Sequence, residues 1–256
     1  MTLELAYTET GEGPPLVILH GLFGSSRNWA SIARRLGETH RVFAVDLRNH
    51  GASPWAETMD YAEMAEDVRA FLARHGLADA TVMGHSMGGK TAMRLALEHG
   101  GEVGRLIVVD IAPVAYAHTH HPLVEALLAV DLATAGRRAD VDLLLQAAIP
   151  EAAMRGFLLH NLISEDGRLT WRINLAALAA NMNTLIGYPE DLAGHTYGGP
   201  THFLSGAASD YVQEAHHGRI RDLFPKAEID SIPETGHWAH AEQPAAFLER
   251  VRSILG

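Results

Sequence analysis

Cysteine is absent from this chain of 256 residues. Its absence excludes disulfides, thiolate metal sites and cysteine nucleophiles, and it indicates nothing about the redox compartment. Basic residues are also scarce, with 20 lysines and arginines against 31 acidic residues, so the net charge is −11 when histidine is neutral. An acidic chain with no basic cluster is a poor partner for a nucleic-acid backbone or an anionic membrane. We therefore expect no nucleic-acid partner.

Long hydrophobic runs are missing as well. The first residues, Met1-Thr2-Leu3-Glu4, have neither a basic nor a long apolar region. We therefore expect no signal peptide, no membrane insertion and a cytoplasmic location. A chain of this length that is 47% hydrophobic can bury one substantial core, and it is close to the size at which domains begin to split. One domain with an insertion, in a monomer or a homodimer, is the expectation.

Strand-like and helix-like segments alternate in the first half of the chain. Helix patterns occupy residues 28–37, the segment from Asp60 to Gly76, and residues 90–98, whereas the strand patterns cover residues 3–8, 16–19, 41–45, 80–83 and 106–109. Asp60 is a typical helix N-cap, and Gly76 is a typical terminator. This alternation predicts an α/β fold with a parallel sheet that is covered by helices on both faces.

The pattern changes after residue 112. Residues 113–194 show helical periodicity, and strand character returns at residues 201–204 and 227–232 before a final helix near Pro244. We expect a core of residues 1–112 and 195–256 with a helical cap of residues 113–194. Such an insertion lies over the carboxyl edge of the sheet, where open α/β folds bind their ligands. The cap is therefore predicted to be a lid.

The segment Gly84-His85-Ser86-Met87-Gly88 follows an apolar strand and opens an amphipathic helix. A serine on such a sharp turn projects its hydroxyl clear of the sheet, and the glycines on either side permit close backbone approach. A Gly-x-Ser-x-Gly pattern alone is a weak signal, but its position between strand and helix favours a nucleophile. Ser86 is the predicted nucleophile.

A serine nucleophile needs a base, and His237 is the best candidate. It follows the strand at residues 227–232, so its loop should reach the same edge as Ser86. His118, His120 and His121 could in principle hold a metal, but close histidines in a polar loop are more typical of a solvated turn. We expect no metal and no cofactor. His85 is interpreted as packing support rather than a base.

The imidazole needs a carboxylate that fixes its tautomer. Asp110 ends the strand at residues 106–109, and Asp210 follows the strand at residues 201–204. Either residue gives the chain order Ser, Asp, His that this architecture uses. Both alternatives remain open on this reasoning.

An oxyanion hole requires two backbone N–H groups aimed at the developing negative charge. Met87 begins the helix after Ser86 and supplies one of them. The loop His20-Gly21-Leu22-Phe23-Gly24 follows the strand at residues 16–19 and should supply the other. We predict Leu22, with Phe23 as the alternative.

With these residues in place, the chain resembles the α/β-hydrolase superfamily over nearly its whole length. Three segments look most like the small YbfF-like esterases, namely His20 to Ser25 (HGLFGS), Asp46 to Ser53 (DLRNHGAS) and Val109 to Pro113 (VDIAP). The resemblance implies ester and acyl-thioester hydrolysis and a helical lid that is inserted after the sixth strand.

The resemblance also bears on the acid. Most superfamily members carry it at the end of a Gly-x-x-Asp pattern after the seventh strand, and here that position is Ser209, with Asp210 displaced by one. In the YbfF-like group the acid follows the sixth strand, which implies Asp110. Ser209 is then expected to hold the histidine by a hydrogen bond.

The leading hypothesis is a serine hydrolase that cleaves carboxylic esters, or acyl thioesters, through an acyl-enzyme. The alternatives are perhydrolysis, C–C hydrolysis or lyase chemistry on the same scaffold, and a receptor that binds a ligand without turnover. The sequence does not identify the small-molecule substrate. Apolar residues of the insertion are candidate pocket walls: Leu127, Leu144, Phe157, Leu158, Trp171 and Met182.

Overall fold

A seven-stranded sheet organises the chain. The computed structural model describes residues 2–117, 119–192 and 194–256. The strands in these residues are β1 (Tyr7–Thr10), β2 (Pro15–Leu19), β3 (Arg41–Val45), β4 (Ala80–His85), β5 (Val103–Val109), β6 (Leu162–Glu165), β7 (Arg168–Trp171), β8 (Thr201–Gly206) and β9 (Ala227–Ile232). The order in the large sheet is β1-β3-β2-β4-β5-β8-β9. β1 pairs with β3 in the antiparallel direction and the other pairs are parallel, so the predicted α/β fold is confirmed.

Helices cover both faces of this sheet. They are α1 (Ala30–Leu36), α2 (Tyr61–His75), α3 (Met87–Glu98), α4 (His121–Leu128), α5 (Arg138–Leu145), α6 (Ala152–Leu158), α7 (Leu175–Ile186), α8 (His217–Leu223), α9 (Ala239–Glu242) and α10 (Pro244–Leu255). The predicted cap of α2 is confirmed, because the Asp60 carboxylate accepts a hydrogen bond from Glu63 N and Gly76 adopts a left-handed conformation, with φ 62°.

The central strands are apolar throughout because both of their faces are buried. In β2, Val17 and Leu19 pack into one cluster with residues of α2 and α3. Leu16 and Ile18 alternate with them and pack into a second cluster with residues of α1 and α10. A strand between two helical layers has no face in solvent. Its sequence is therefore a continuous hydrophobic run rather than an alternation of apolar and polar residues.

The structure corrects three expectations about element positions. The first strand covers Tyr7–Thr10 rather than residues 3–8, and α1 begins at Ala30 because residues Ser26–Trp29 form a 3-10 turn. The strand before the insertion is β5, the fifth in the chain rather than the sixth, because two strands rather than three precede β3. The segment between β5 and β8 contains α4 to α7 and the β6–β7 hairpin.

The parallel strands place their carboxyl ends at one edge of the sheet. β2, β4, β5, β8 and β9 all run in the same direction, so the loops that follow them converge there. This edge is the usual ligand site of an open α/β sheet. In the described residues, no helix combines the length and the hydropathy that crossing a bilayer requires.

Candidate active site

Ser86 lies on a strained turn between β4 and α3. Its φ is 52° and its ψ is −118°, a conformation that a residue with a Cβ rarely adopts. The turn brings backbones into contact: a Cβ at Gly84 would lie 2.1 Å from Gly88 O, and one at Gly88 would lie 2.4 Å from Leu19 O. Both positions therefore require glycine, and the turn presents the half-buried Ser86 side chain to a cavity at the sheet edge.

His237 and Asp110 meet at the same edge. His237 lies in the loop after β9, and its Nδ1 is 2.7 Å from Asp110 Oδ2. Asp110 directly follows β5, with its side chain fully buried and its backbone at φ 49°. Since the carboxylate accepts at Nδ1, the histidine carries its proton there and leaves Nε2 free to accept one. This is the tautomer that a general base needs.

Asp110 accepts two further hydrogen bonds. Gly206 N donates to Oδ1 over 2.9 Å, and the Ser209 hydroxyl donates to Oδ2 over 2.5 Å. Ser209 thus bonds to the carboxylate rather than to the histidine, which corrects the sequence-based expectation. Three donors therefore satisfy a carboxylate that water does not reach.

Asp210, the alternative acid, lies elsewhere. Its side chain is exposed and lines a surface depression that Ser209, Tyr211 and His237 also border, whereas the carboxylate bonded to His237 Nδ1 is that of Asp110. The physical reason is the direction of the chain after β8: Ser209 turns inward to Asp110, so the next side chain points outward. The structure therefore brings Asp110, and not Asp210, to His237.

Two side chains hold His237 from other directions. The Tyr211 ring stacks on the imidazole with centroids 4.0 Å apart, and His85 Nε2 is 2.8 Å from the His237 carbonyl oxygen. Because that oxygen can only accept, His85 donates from Nε2. Burial, followed by the nearby His237 and His240, holds the pKa of His85 well below its usual value, so this residue is neutral. His85 therefore ties the serine turn to the histidine loop.

Leu22 and Phe23, the two candidates for the upstream oxyanion group, border the same cavity. Ser86, Leu22 and Phe23 line a cavity of about 180 Å³ together with His237. Met87 is the first residue of α3, where a backbone N–H has no partner within the helix. The loop that carries Leu22 is fixed by His20, whose Nδ1 donates to Gly21 O over 2.8 Å and whose Nε2 accepts from Leu47 N over 3.0 Å.

The histidines of the 118–121 segment differ in position. His118 lies outside the described residues. His120 borders the cavity and His121 is within 3.3 Å of the Asn183 side-chain oxygen. Across the described ranges, histidine and carboxylate side chains form no group of three or more that could hold a metal ion.

Several residues around the site were missed by sequence reasoning. Tyr211, Tyr116 and Lys90 are the clearest cases: the Tyr116 hydroxyl donates to Tyr211 O over 2.7 Å, and Lys90 is buried beside the Tyr116 ring. Lys90 could have been found, because a residue four positions after Ser86 on a helix lies on the same face. Burial lowers the pKa of Lys90 to about 7.

The insertion residues proposed as pocket walls are mostly elsewhere. Phe157 lines the cavity, together with Met154, which the sequence did not single out. Leu127, Leu158 and Met182 are buried in the core, and Leu144 is exposed. Periodicity identifies the apolar face of a helix but not whether that face packs against protein or borders a cavity.

Comparisons with known proteins identify the family of the chain. The sequence model of a family described as the alpha/beta hydrolase fold matches residues 14–244. The chain belongs to the alpha/beta hydrolase fold family. A mouse protein (Mus musculus) named sn-1-specific diacylglycerol lipase ABHD11 is 42% identical over 94% of this chain and 81% of its own length. Esterase YbfF of Escherichia coli is 35% identical over 94% of this chain and 92% of its own length.

A solved structure is similar over the whole chain. It is described as a marine microorganism esterase, is 38% identical, and superposes with a TM-score of 0.95 over 99% of this chain and 100% of its own. The predicted resemblance to YbfF-like α/β hydrolases is thus confirmed at the level of family and fold.

Proposed function

We propose that this carboxylic ester hydrolase works through an acyl-enzyme on Ser86, with His237 as base and Asp110 as the acid that orients it. The ester-hydrolase class is supported by relatives that are named esterase or lipase. The residue roles rest on one observation: the His237 imidazole lies 2.7 Å from the buried Asp110 carboxylate and lines the same cavity as Ser86.

The acylation step uses each of these groups. Ser86 Oγ attacks the ester carbonyl carbon while His237 Nε2 takes the hydroxyl proton. The carbonyl oxygen becomes an oxyanion that accepts hydrogen bonds from the N–H groups of Leu22 and Met87. When the tetrahedral intermediate collapses, the C–O bond to the alcohol breaks and His237 gives the proton to the leaving oxygen. Asp110 stabilises the imidazolium throughout, and Ser209 holds Asp110.

Deacylation repeats the sequence with water. His237 takes a proton from a water molecule, whose oxygen attacks the acyl carbon, and then returns the proton to Ser86 Oγ as the carboxylic acid leaves. An acyl thioester has the same electrophilic carbon and would use the same groups, with a thiol as leaving group.

We infer that residues 113–194 form the cap of this site on a core of residues 1–112 and 195–256. Met154 and Phe157 of this segment line the cavity. Polar contacts join the segment to the core: for example, the Asn161 amide donates to Phe23 O over 2.8 Å, and Asn174 N donates to Asn49 O over 2.9 Å.

Replacement of the nucleophile tests the mechanism directly. We expect Ser86→Ala to lower kcat on p-nitrophenyl butyrate by about six orders of magnitude, as loss of the nucleophile does in other serine hydrolases. Ser231→Ala, at an exposed position of β9, is the matched control and should hydrolyse normally.

A fluorophosphonate probe gives an independent readout. It should label the wild type and Ser231→Ala but not Ser86→Ala. Retained hydrolysis and labelling in folded Ser86→Ala would exclude Ser86 as the nucleophile, and a wild type that neither labels nor hydrolyses any ester would favour the receptor alternative.

A further inference from the structure

Two cavities meet at Ser86. The first has a volume of about 180 Å³ and is lined by His237, Trp238, Met154 and Phe157. It adjoins a groove of about 740 Å³, which is also lined by Trp238, Met154 and Phe157. The second, of about 30 Å³, is lined by Met87 and Lys90 but not by His237. Ser86 and Leu22 border both cavities.

The proposed acylation mechanism gives each cavity one part of the substrate, so the roles of the two cavities depend on the proposed function. The leaving oxygen must be close to His237, which protonates it, so the alcohol lies in the cavity that His237 lines. The acyl carbon bonds to Ser86 while its oxygen faces the Leu22 and Met87 amides. The remainder of the acyl group then enters the second cavity.

We propose that Lys90 is a specificity-determining residue, which closes this acyl cavity with a polar floor and so restricts the enzyme to short acyl groups on large alcohols or thiols. Lys90 is 2% exposed, and its Nζ donates to Ile186 O over 3.1 Å and to Gly187 O over 2.5 Å. Lys90 Nζ lies 4.8 Å from the Tyr116 ring centroid. The floor is thus held by Ile186 at the end of α7, by Gly187 that follows it, and by an aromatic face.

The position of this floor relative to the nucleophile is fixed. Lys90 N donates to Ser86 O over 3.0 Å, so the two residues are one helical turn apart on α3. Beside Lys90, the buried Tyr61 hydroxyl donates to Leu185 O over 2.5 Å, and Leu185 also lines the cavity. The wall therefore consists of groups whose hydrogen bonds are already made.

The size of the cavity limits what it accepts. A water molecule needs about 10–15 Å³ on the same scale, so a cavity of about 30 Å³ holds roughly two or three heavy atoms. A longer acyl chain would have to displace Lys90 Nζ from Ile186 O and Gly187 O. Ile186 O would keep its bond from Tyr116 N, but Gly187 O would lose the Lys90 donor, which is unfavourable at a half-buried site. The first cavity and its groove have no such limit.

A substrate matrix tests this assignment. We would measure kcat/KM for p-nitrophenyl acetate, butyrate, hexanoate and octanoate, and for butyrate esters of small and large alcohols, with the wild type and with Lys90→Ala, Lys90→Met and Leu185→Ala. Phe157→Ala is the matched control on the His237 side. The wild type should prefer acetate and butyrate over octanoate.

Opening the floor should shift the acyl preference. We expect Lys90→Ala and Leu185→Ala to raise the octanoate-to-acetate ratio of kcat/KM by about tenfold or more, since pocket contacts discriminate methylenes on that scale. Lys90→Met keeps the length of the side chain and should change the ratio less than Lys90→Ala does. Phe157→Ala should shift the alcohol series and change the acyl ratio by less than about threefold, because Phe157 lines the first cavity and not the second.

The opposite pattern would overturn the proposal. If Phe157→Ala controls the acyl series while Lys90→Ala and Leu185→Ala leave it unchanged, or if the wild type hydrolyses octanoate as fast as acetate, the acyl group does not lie against Lys90. Ester hydrolysis by Ser86 would still stand in either case. Leu185→Ala decides the outcome if Lys90→Ala does not fold, because it opens the same floor without removing the charge.

Discussion

The sheet edge and the segment between β5 and β8 contribute to the cavity in different ways. The sheet edge supplies Ser86, Asp110 and His237, whose positions are fixed by hydrogen bonds and by backbone geometry. The segment supplies Met154 and Phe157, which offer apolar surface without directional contacts. In the proposed mechanism, the chemistry depends on precise polar geometry at the sheet edge, whereas the segment determines which substrate fits. Changes at the edge should therefore have much larger effects.

The acid should show the largest of these effects. We expect Asp110→Asn to lower kcat by roughly 10³ to 10⁴, because an amide donor facing Nδ1 favours the wrong imidazole tautomer. The measurement is steady-state hydrolysis of p-nitrophenyl butyrate, with circular dichroism to confirm that the variant is folded.

Asp210→Asn is the matched control for this change. Asp210 is exposed, so its replacement should alter kcat by less than about threefold. If Asp210→Asn lowered kcat and Asp110→Asn did not, the proposed triad would be wrong, and Asp110 would not be its acid.

The free energy of unfolding should also depend on pH, through buried histidines of residues 1–112 and 195–256. Burial lowers the pKa of His50 to about 3 and that of His240 to about 4, and it lowers the pKa of His20 and His85 as well. Below pH 6.5 the unfolded chain protonates these imidazoles while the folded chain does not. The unfolded state then binds more protons, so stability falls as pH falls from 6.5 toward 4.

Each such histidine contributes up to about 1.4 kcal/mol per pH unit in that range. The free energy of unfolding, measured with urea at pH 7.5, 6.5, 5.5 and 4.5, should therefore decline steeply as the pH falls. His240→Phe should reduce this slope by about the contribution of one histidine. This phenylalanine keeps a ring against Trp29, whose ring stacks on His240 at 4.2 Å. His195→Gln, on the surface, should leave the slope as it is; a pH-independent wild type would show that these imidazoles are not buried.

A histidine of the segment between β5 and β8 should have the smallest effect on kcat. His120 borders both cavities but belongs to residues 113–194. We expect His120→Gln to change kcat by less than about threefold and to act mainly on KM, because the proposed mechanism moves protons through His237 alone. His121→Gln is the neighbouring control. A loss in kcat of about 10² or more would mean that His120 acts as a general acid or base. The segment would then take part in the chemistry as well as in substrate binding.

The sequence predicted the fold because its strongest patterns are local. A buried strand followed by a turn and an amphipathic helix is visible around Ser86 from the residues themselves. The capped helix from Asp60 to Gly76 was visible in the same way, and the family resemblance added the order of the elements. Both α2 and the parallel sheet are found as expected.

The finer contacts could not be predicted because they join distant parts of the chain. The bond from Ser209 to Asp110 spans 99 positions, and that from His85 to the His237 carbonyl spans 152. No period or spacing encodes which of two neighbouring side chains turns inward, so Ser209 was assigned to the wrong partner. Phe157 and Leu158 are adjacent, and only the packing of α6 decides that one faces the cavity and the other the core.

The three hydrogen bonds to Asp110 have a consequence for the order in which the protein matures. Ser86 and Asp110 are synthesised early, but the donors to Asp110 come from residues 206, 209 and 237. A nascent chain in which these residues have not yet been synthesised contains Asp110 without its three donors. It also contains Ser86 without the proposed base, His237. Because domains form as units during synthesis, the proposed nucleophile gains its base only when the last part of the domain has folded. We therefore expect incomplete chains to hydrolyse no ester.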